Sequence, residues 1–180
     1  MQFIQQIIKH FPHAPTASQK ASIQLFSSFL TTKDTKSVFL LKGYAGTGKT
    51  TLIATWLKSL KPLGYRIVLM APTGRAAKVM STYASSKAYT IHKRIYFAQQ
   101  NKQGAIKFKL QKNKYKKTIF IVDEASMIAD NQQYSKLFEN GSLLNDLIAY
   151  VDGGDDCKLV FVGDTAQTRE SLLPIPFAHH

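Results

Sequence analysis

Residues 43–50, Gly-Tyr-Ala-Gly-Thr-Gly-Lys-Thr, restrict the chain to few folds. They match G-x-x-x-x-G-K-[ST] at every fixed position. They also lie between an apolar run, Ser37-Val-Phe-Leu-Leu41, and an amphipathic stretch, Thr50 to Leu60. In that setting the pattern is a phosphate cradle. Glycines let the backbone bend around an anion and turn its N–H groups inward, and the following helix presents its positive end. Lys49 supplies a charge at β- and γ-phosphates, and the Thr50 hydroxyl is placed to ligate Mg²⁺. Gly43, Ala45, Gly46, Thr47, Gly48, Lys49, Thr50 and Thr51 are therefore candidate contacts of ATP. The competing reading is a plain glycine-rich turn.

The rest of the chain agrees with a strand–helix alternation. Pro12 and Pro15 bracket a turn, and Thr16-Ala-Ser-Gln19 reads as a capping box opening a helix with Ile23, Phe26 and Leu30 on one face. Further strands are expected at Arg66–Met70, Thr118–Val122 and Lys158–Val162, and helices at Gly74–Tyr83 and within Asp130–Tyr150. The strand runs are continuously apolar, as in parallel strands covered on both faces. The expected fold class is α/β, a mainly parallel sheet with helices on both faces. A chain of 180 residues suits one such domain, not two. The expected division is a helical segment at about 1–36, a nucleotide-binding core at 37–167 and an atypical tail at 168–180.

Composition narrows the partners. There are 24 Lys+Arg against 11 Asp+Glu, a net charge of +13, which favours a polyanion over a merely solvated basic surface once the phosphate cradle is considered. No apolar run reaches membrane-helix length and no secretory leader is evident, so a cytoplasmic protein without membrane contact is expected. The single cysteine, Cys157, reads as a packing residue. The segment from Ala105 to Lys117 alternates Ile106, Phe108 and Leu110 with lysines, suggesting a half-exposed strand. Its lysines suit a phosphate backbone. Phe108 and Tyr115 are possible stacking faces, although Phe108 reads better as core.

Three further stretches carry chemistry. Ile119-Phe-Ile-Val122 ends in Asp123 and Glu124, placing two acids at a strand's carboxyl end, where open α/β sheets bind ligands. Asp123 suits Mg²⁺, and Glu124 suits positioning and deprotonating a water. Leu159-Val-Phe-Val162 ends in Gly163-Asp164-Thr165-Ala166-Gln167, where Gln167 suits contact with a γ-phosphate or the attacking water, against a plain turn as the alternative. Met70-Ala-Pro-Thr73-Gly74-Arg75 ends a strand and opens a helix, whose N-terminus suits a phosphate of either ATP or nucleic acid.

Taken in order, GYAGTGKTT, APTGRAAK, DEASM and GDTAQ resemble superfamily 1 DNA helicases of group B, the RecD/Dda type, over roughly residues 14 to 167. The resemblance implies a RecA-like P-loop NTPase fold and an ATP-driven motor moving 5′ to 3′ on single-stranded DNA. It implies that Gln19 selects adenine, Lys49 and Thr50 serve phosphate and Mg²⁺, Asp123 holds the metal, Glu124 is the catalytic base and Gln167 couples γ-phosphate to movement. It places Thr73, Gly74, Arg75 and His92 near the DNA backbone; His92 lies in Thr90-Ile-His-Lys93, which resembles another DNA-contacting motif. The residue readings beside these are a capping-box partner for Gln19, a packed histidine for His92 and a solvated first-turn residue for Arg75. The chain departs from the family after Gln167, where Leu-Pro-Pro is usual and Thr168-Arg169-Glu170 stands here. The family's second RecA-like domain, which supplies an arginine to the transition state, is not in this sequence. Such a domain, or other replication and repair proteins, are the expected partners, and weak hydrolysis by the chain alone is expected. A non-catalytic nucleic-acid-binding module and a P-loop ATPase of an AAA-type family are the competing readings.

Overall fold

The computed structural model describes residues 2–34, 37–100, 106–128, 140 and 142–164. Five parallel strands form one sheet in the order β1-β7-β6-β2-β3. These are β1 (Val38–Lys42), β2 (Arg66–Ala71), β3 (Ala88–Thr90), β6 (Lys116–Val122) and β7 (Asp155–Gly163). An antiparallel hairpin, β4 (Tyr96–Gln100) with β5 (Ile106–Leu110), stands apart from it. The helices are α1 (Gln2–His10), α2 (Ala17–Thr31), α3 (Lys49–Leu60), α4 (Gly74–Ala84), α5 (Ile91–Ile95) and α6 (Leu143–Asp152).

The sheet is buried on both faces because successive side chains of each strand point to opposite sides. Ile119, Ile121, Val160 and Val162 join Trp56, Phe26, Ile53 and Ile7 under α1 to α4. Phe120, Val122, Leu159 and Phe161 join Ile91, Ile95, Leu147 and Tyr150 under α5 and α6. This is the RecA-like P-loop architecture expected from the sequence. At the centre of the first layer the Phe26 and Trp56 rings stack with centroids 3.9 Å apart.

Local chemistry sets the element ends. Thr16 and Gln19 form the expected capping box: the Gln19 amide donates to Thr16 Oγ1, and the Thr16 amide donates to Gln19 Oε1. At the other end of α2, the buried Lys158 of β7 donates through Nζ to the Thr32 carbonyl at 2.9 Å, a cation at a helix C-terminus. Burial holds the Lys158 pKa below that of an ordinary lysine.

Strand β3, the short helix α5 and strand β4 were not expected from the sequence. The lysine-rich segment is divided between β5 and the start of β6. Phe108 was expected in the core; it is 47% exposed, on a hairpin that pairs only with itself and sends Tyr96 and Leu110, not Phe108, into the core. Tyr115 is no open stacking face either, since the Arg94 and Arg66 guanidinium groups lie 5.0 and 5.6 Å from its ring. Cys157 is buried, as expected, and burial raises its thiol pKa. The expected helix region at 130–139 and the tail from 165, including Gln167, lie outside the described residues.

Candidate active site

The loop after β1 makes the cradle. Gly46 and Gly48 take φ of 79° and 88°, left-handed values that side chains resist. Gly48 N-caps α3, leaving the first-turn amides of that helix facing the loop. A Cβ on Gly43 would come within 2.7 Å of Thr47 Oγ1, and one on Gly48 within 2.5 Å of Gln19 Nε2. Thr47 Oγ1 braces the loop from within by donating to the Tyr44 carbonyl at 2.8 Å. Lys49 Nζ donates to the Gly43 and Tyr44 carbonyls, the latter at 2.9 Å, so its charge is held over the loop. Gln19 approaches from α2, its Nε2 donating to the Thr47 carbonyl at 3.4 Å. Gln19 thus serves the capping box and touches the loop as well.

Across a cleft from the loop stand the strand ends of β6 and β7. Ala45, Gly46, Gly48, Lys49, Thr50, Ile53, Asp123, Glu124, Gly163 and Asp164 line the same cleft. Asp123 Oδ1 accepts the Glu124 amide at 2.9 Å, and Asp123 Oδ2 accepts the Tyr83 hydroxyl of α4 at 2.6 Å. Glu124 sits at φ 53° and ψ 38°, a left-handed conformation for a side-chain-bearing residue, which marks a strained position. Its carboxyl is held above the ordinary glutamate range. Removal from water is the main cause, Asp123 adds to it, Lys49 offsets part and Asp164 adds again. A carboxyl whose pKa is raised, beside a phosphate cradle, is suited to taking a proton. The Tyr83 hydroxyl is pushed well above the usual phenol range, first by burial and then by its bond to Asp123, so it is a donor throughout the physiological range.

The cradle passes a test of fit to a nucleotide and its metal. Gly46 and Gly48 hold left-handed φ values of the kind that let a loop turn its amides toward an anion, no heavy atom lies within 4 Å of a Cβ placed on Gly46, and a hydroxyl, a lysine and three carboxylates line one cleft. Thr50 and Asp123 are an oxygen donor pair of the kind Mg²⁺ takes, completed by phosphate and water.

The candidate nucleic-acid residues lie beside this cleft, at the ends of the next two strands. Strands β2 and β3 pair with Ala71 opposite Thr90, so the loops that follow them are neighbours. Thr73 N-caps α4, accepting the Ala76 amide at 3.2 Å. Thr90 N-caps α5 in the same way, accepting the Lys93 amide at 3.3 Å. Thr73, Gly74, Arg75 and His92 are exposed. Partial desolvation lowers the His92 pKa, and its ring centroid lies 5.9 Å from that of Tyr96. Sequence reasoning missed Tyr83 and Asp164 as members of the site. Asp164 follows a recognised strand and could have been found from that position. Tyr83 could not, being 40 residues from its partner in sequence.

The family model of an AAA domain matches residues 28–171, from α2 through the described end of the cleft. The chain belongs to this AAA domain family. It is a helicase-like P-loop ATPase domain. Among similar proteins, the ATP-dependent RecD2 DNA helicase of Deinococcus radiodurans is 31% identical over 128 residues, covering 71% of this chain and 15% of that protein. An uncharacterized protein of Methanocaldococcus jannaschii is 36% identical over 143 residues, covering 72% of this chain and 11% of its own length. Another, from Acanthamoeba polyphaga mimivirus, is 29% identical over 170 residues, covering 82% and 34% respectively. The AAA domain here therefore spans about a third or less of the length of these curated relatives. Among the described residues no helix is long and apolar enough to cross a membrane.

Proposed function

We propose that this AAA domain is the ATP-binding and ATP-hydrolysing motor domain of a 5′-to-3′ DNA helicase of the RecD/Dda type. The observation that carries the reading is the convergence of Lys49, Thr50, Asp123 and Glu124 on one cleft. It is supported by the candidate DNA residues standing on the adjacent strand ends and by the similarity to a RecD2 helicase.

In this reading the residues from Gly43 to Thr51 bind the phosphates, and Gln19 reads the adenine edge beside the loop. Thr50 and Asp123 hold Mg²⁺, which neutralises charge on the β- and γ-phosphates when bound. Glu124 orients the attacking water and takes its proton. Gln167 senses the γ-phosphate. Thr73, Gly74, Arg75 and His92 meet the backbone of single-stranded DNA, and α4 runs from the first three of these to Tyr83, which donates to Asp123. No arginine lines the cleft among the described residues. An arginine contributed by a second RecA-like domain would accelerate the reaction about 10³- to 10⁵-fold, and the AAA domain by itself is expected to turn over slowly and not to unwind duplex.

The test is ATP hydrolysis with and without single-stranded DNA, with Glu124→Gln as the control. DNA-stimulated turnover that disappears in the variant supports the reading. Binding of DNA without any binding of ATP rejects it in favour of a non-catalytic nucleic-acid module.

A further inference from the structure

We propose that Tyr83 is a positioning residue for Asp123: from the last turn of α4 its hydroxyl donates to Oδ2 at 2.6 Å while the Glu124 amide donates to Oδ1 at 2.9 Å, and the two together fix the carboxylate's orientation in the cleft. The inference rests on the reading of Asp123 as the residue that holds Mg²⁺.

Each carboxylate oxygen has about two acceptor directions. A single donor on each oxygen therefore orients the group and leaves acceptor capacity facing the cleft. A backbone amide alone constrains one oxygen, about which the carboxylate can still turn. The second donor removes that freedom, and a metal or its bound water then meets a preset ligand.

Tyr83 is well anchored for this work. Its ring packs against the core layer formed by Phe26, Trp56 and their neighbours. The helix carrying it is tied to the sheet edge two residues earlier, where Ser81 Oγ accepts the Ala88 amide at 2.8 Å. A merely structural Tyr83–Asp123 bond would tie α4 to the sheet and affect stability. A positioning bond affects how readily the cleft takes Mg²⁺, and the two roles separate on that readout.

Binding of a fluorescent ATP analogue to the whole chain, followed as Mg²⁺ is titrated from an EDTA-treated start, tests the proposal without turnover. Tyr83→Phe keeps the ring and removes the hydroxyl. The Mg²⁺ concentration for half-maximal response should rise about 10- to 100-fold, the usual consequence of removing an outer-shell partner, with metal-free nucleotide affinity unchanged. Tyr83→Leu lacks the hydroxyl and the ring, and should show at least the same rise. An unchanged Mg²⁺ midpoint in a folded variant overturns the inference, as does an equal loss of affinity with and without Mg²⁺. Asp123→Asn separates the two levels. If it abolishes the Mg²⁺ response while Tyr83→Phe leaves it intact, only the inference falls. If it also leaves the response intact, the metal role of Asp123 falls, and the inference with it.

Discussion

Gln19 and Gly48 are mutually fitted: a Cβ at residue 48 would come within 2.5 Å of Gln19 Nε2. Gly48 also holds φ at 88°. Backbone handedness and the nearness of a side chain from another helix therefore both act against a side chain at this position, the first as strain and the second as a contact that the flexible end of Gln19 must move to relieve. Gly48→Ala should cost about 1–2 kcal/mol from the left-handed conformation alone. It should also displace Gln19 or the loop. We expect ATP affinity to fall at least about tenfold, a loss of roughly 1.4 kcal/mol, measured by titration calorimetry. Gln19→Ala in the Gly48→Ala background tests the contact: partial recovery of affinity identifies the clash as a cause, and no recovery assigns the loss to backbone strain alone.

Glu124 gives a prediction with a pH sign. Its pKa is raised, chiefly by removal from water, and a base must be ionised to act. The acid limb of kcat/KM should accordingly lie above the ordinary glutamate value of about 4.3. Glu124→Gln should lower kcat about 10²- to 10⁴-fold with ATP binding retained. Because the folded-state pKa is raised, ionisation disfavours the fold, and Glu124 contributes stability below its unfolded pKa that is lost as pH rises through the folded one. Glu124→Gln should therefore melt at or above the wild-type temperature at neutral pH, with the difference shrinking as pH falls toward 4. A variant that melts lower at neutral pH would contradict the assigned direction.

The parts of the fold that were legible share one property: their signal is local. The runs Val38–Leu41, Ile119–Val122 and Leu159–Val162 read as strands because both faces of the sheet are covered and every one of these positions is apolar. Thr16 and Gln19 announce a helix start from four consecutive residues. Strand β3 escaped because it has three half-buried residues at the sheet edge. The five residues of α5 are too few for a helical period to show. Phe108 was unreadable as an exposed residue, since its alternation with Lys107 and Lys109 is the same whether its face of the hairpin meets core or water. Lys49, Thr50, Asp123 and Glu124 were legible because phosphate chemistry needs those types at strand ends. Tyr83 and Arg94 depend on contacts with residues distant in sequence, Asp123 for Tyr83 and, for Arg94, the Tyr115 ring 5.0 Å away.

Lys158 tests the support under α2. The residue is 4% exposed, and its ammonium donates to the Thr32 carbonyl and lies 5.3 Å from the Phe29 ring centroid. Lys158→Met keeps most of the buried stem and removes a charged hydrogen bond, at a cost of about 1.5–3 kcal/mol. Lys158→Ala adds an unfilled volume and should cost more, about 2–5 kcal/mol in total. Urea denaturation followed by Trp56 fluorescence reads both, since Trp56 lies in the same core layer. Equal stability of Lys158→Met and wild type would show that the bond only repays the lysine's own desolvation.

Asp146 is fully buried on α6 and accepts the Tyr96 hydroxyl at 2.6 Å at the base of the hairpin. It also accepts the Asn140 amide at 2.7 Å and Asn140 Nδ2 at 2.8 Å. Tyr96→Phe removes one donor from this buried group and should cost about 1–3 kcal/mol. Hydrogen exchange should then quicken in β4 and β5 before it quickens in the central strands, because Tyr96 is the first residue of the hairpin. Uniform quickening across the chain would mean that Tyr96 supports the whole core, with no special role at the hairpin.

Arg75 separates nucleic-acid contact from general basicity. It is exposed in the first turn of α4, next to Thr73 and Gly74, on the side of the sheet where β2 and β3 end. If Arg75 meets a phosphate, Arg75→Ala should weaken single-stranded DNA binding similarly for different sequences and reduce the slope of log affinity against log salt by about one contact's share, roughly 0.7 for a single strand. Lys58, exposed on α3, is the matched control. Its substitution by alanine removes the same unit of charge at a distance from the strand ends and should leave the slope unchanged. Fluorescence anisotropy over a salt series measures both. Equal slopes for the two variants would make the +13 net charge, rather than a built site, the source of any DNA affinity.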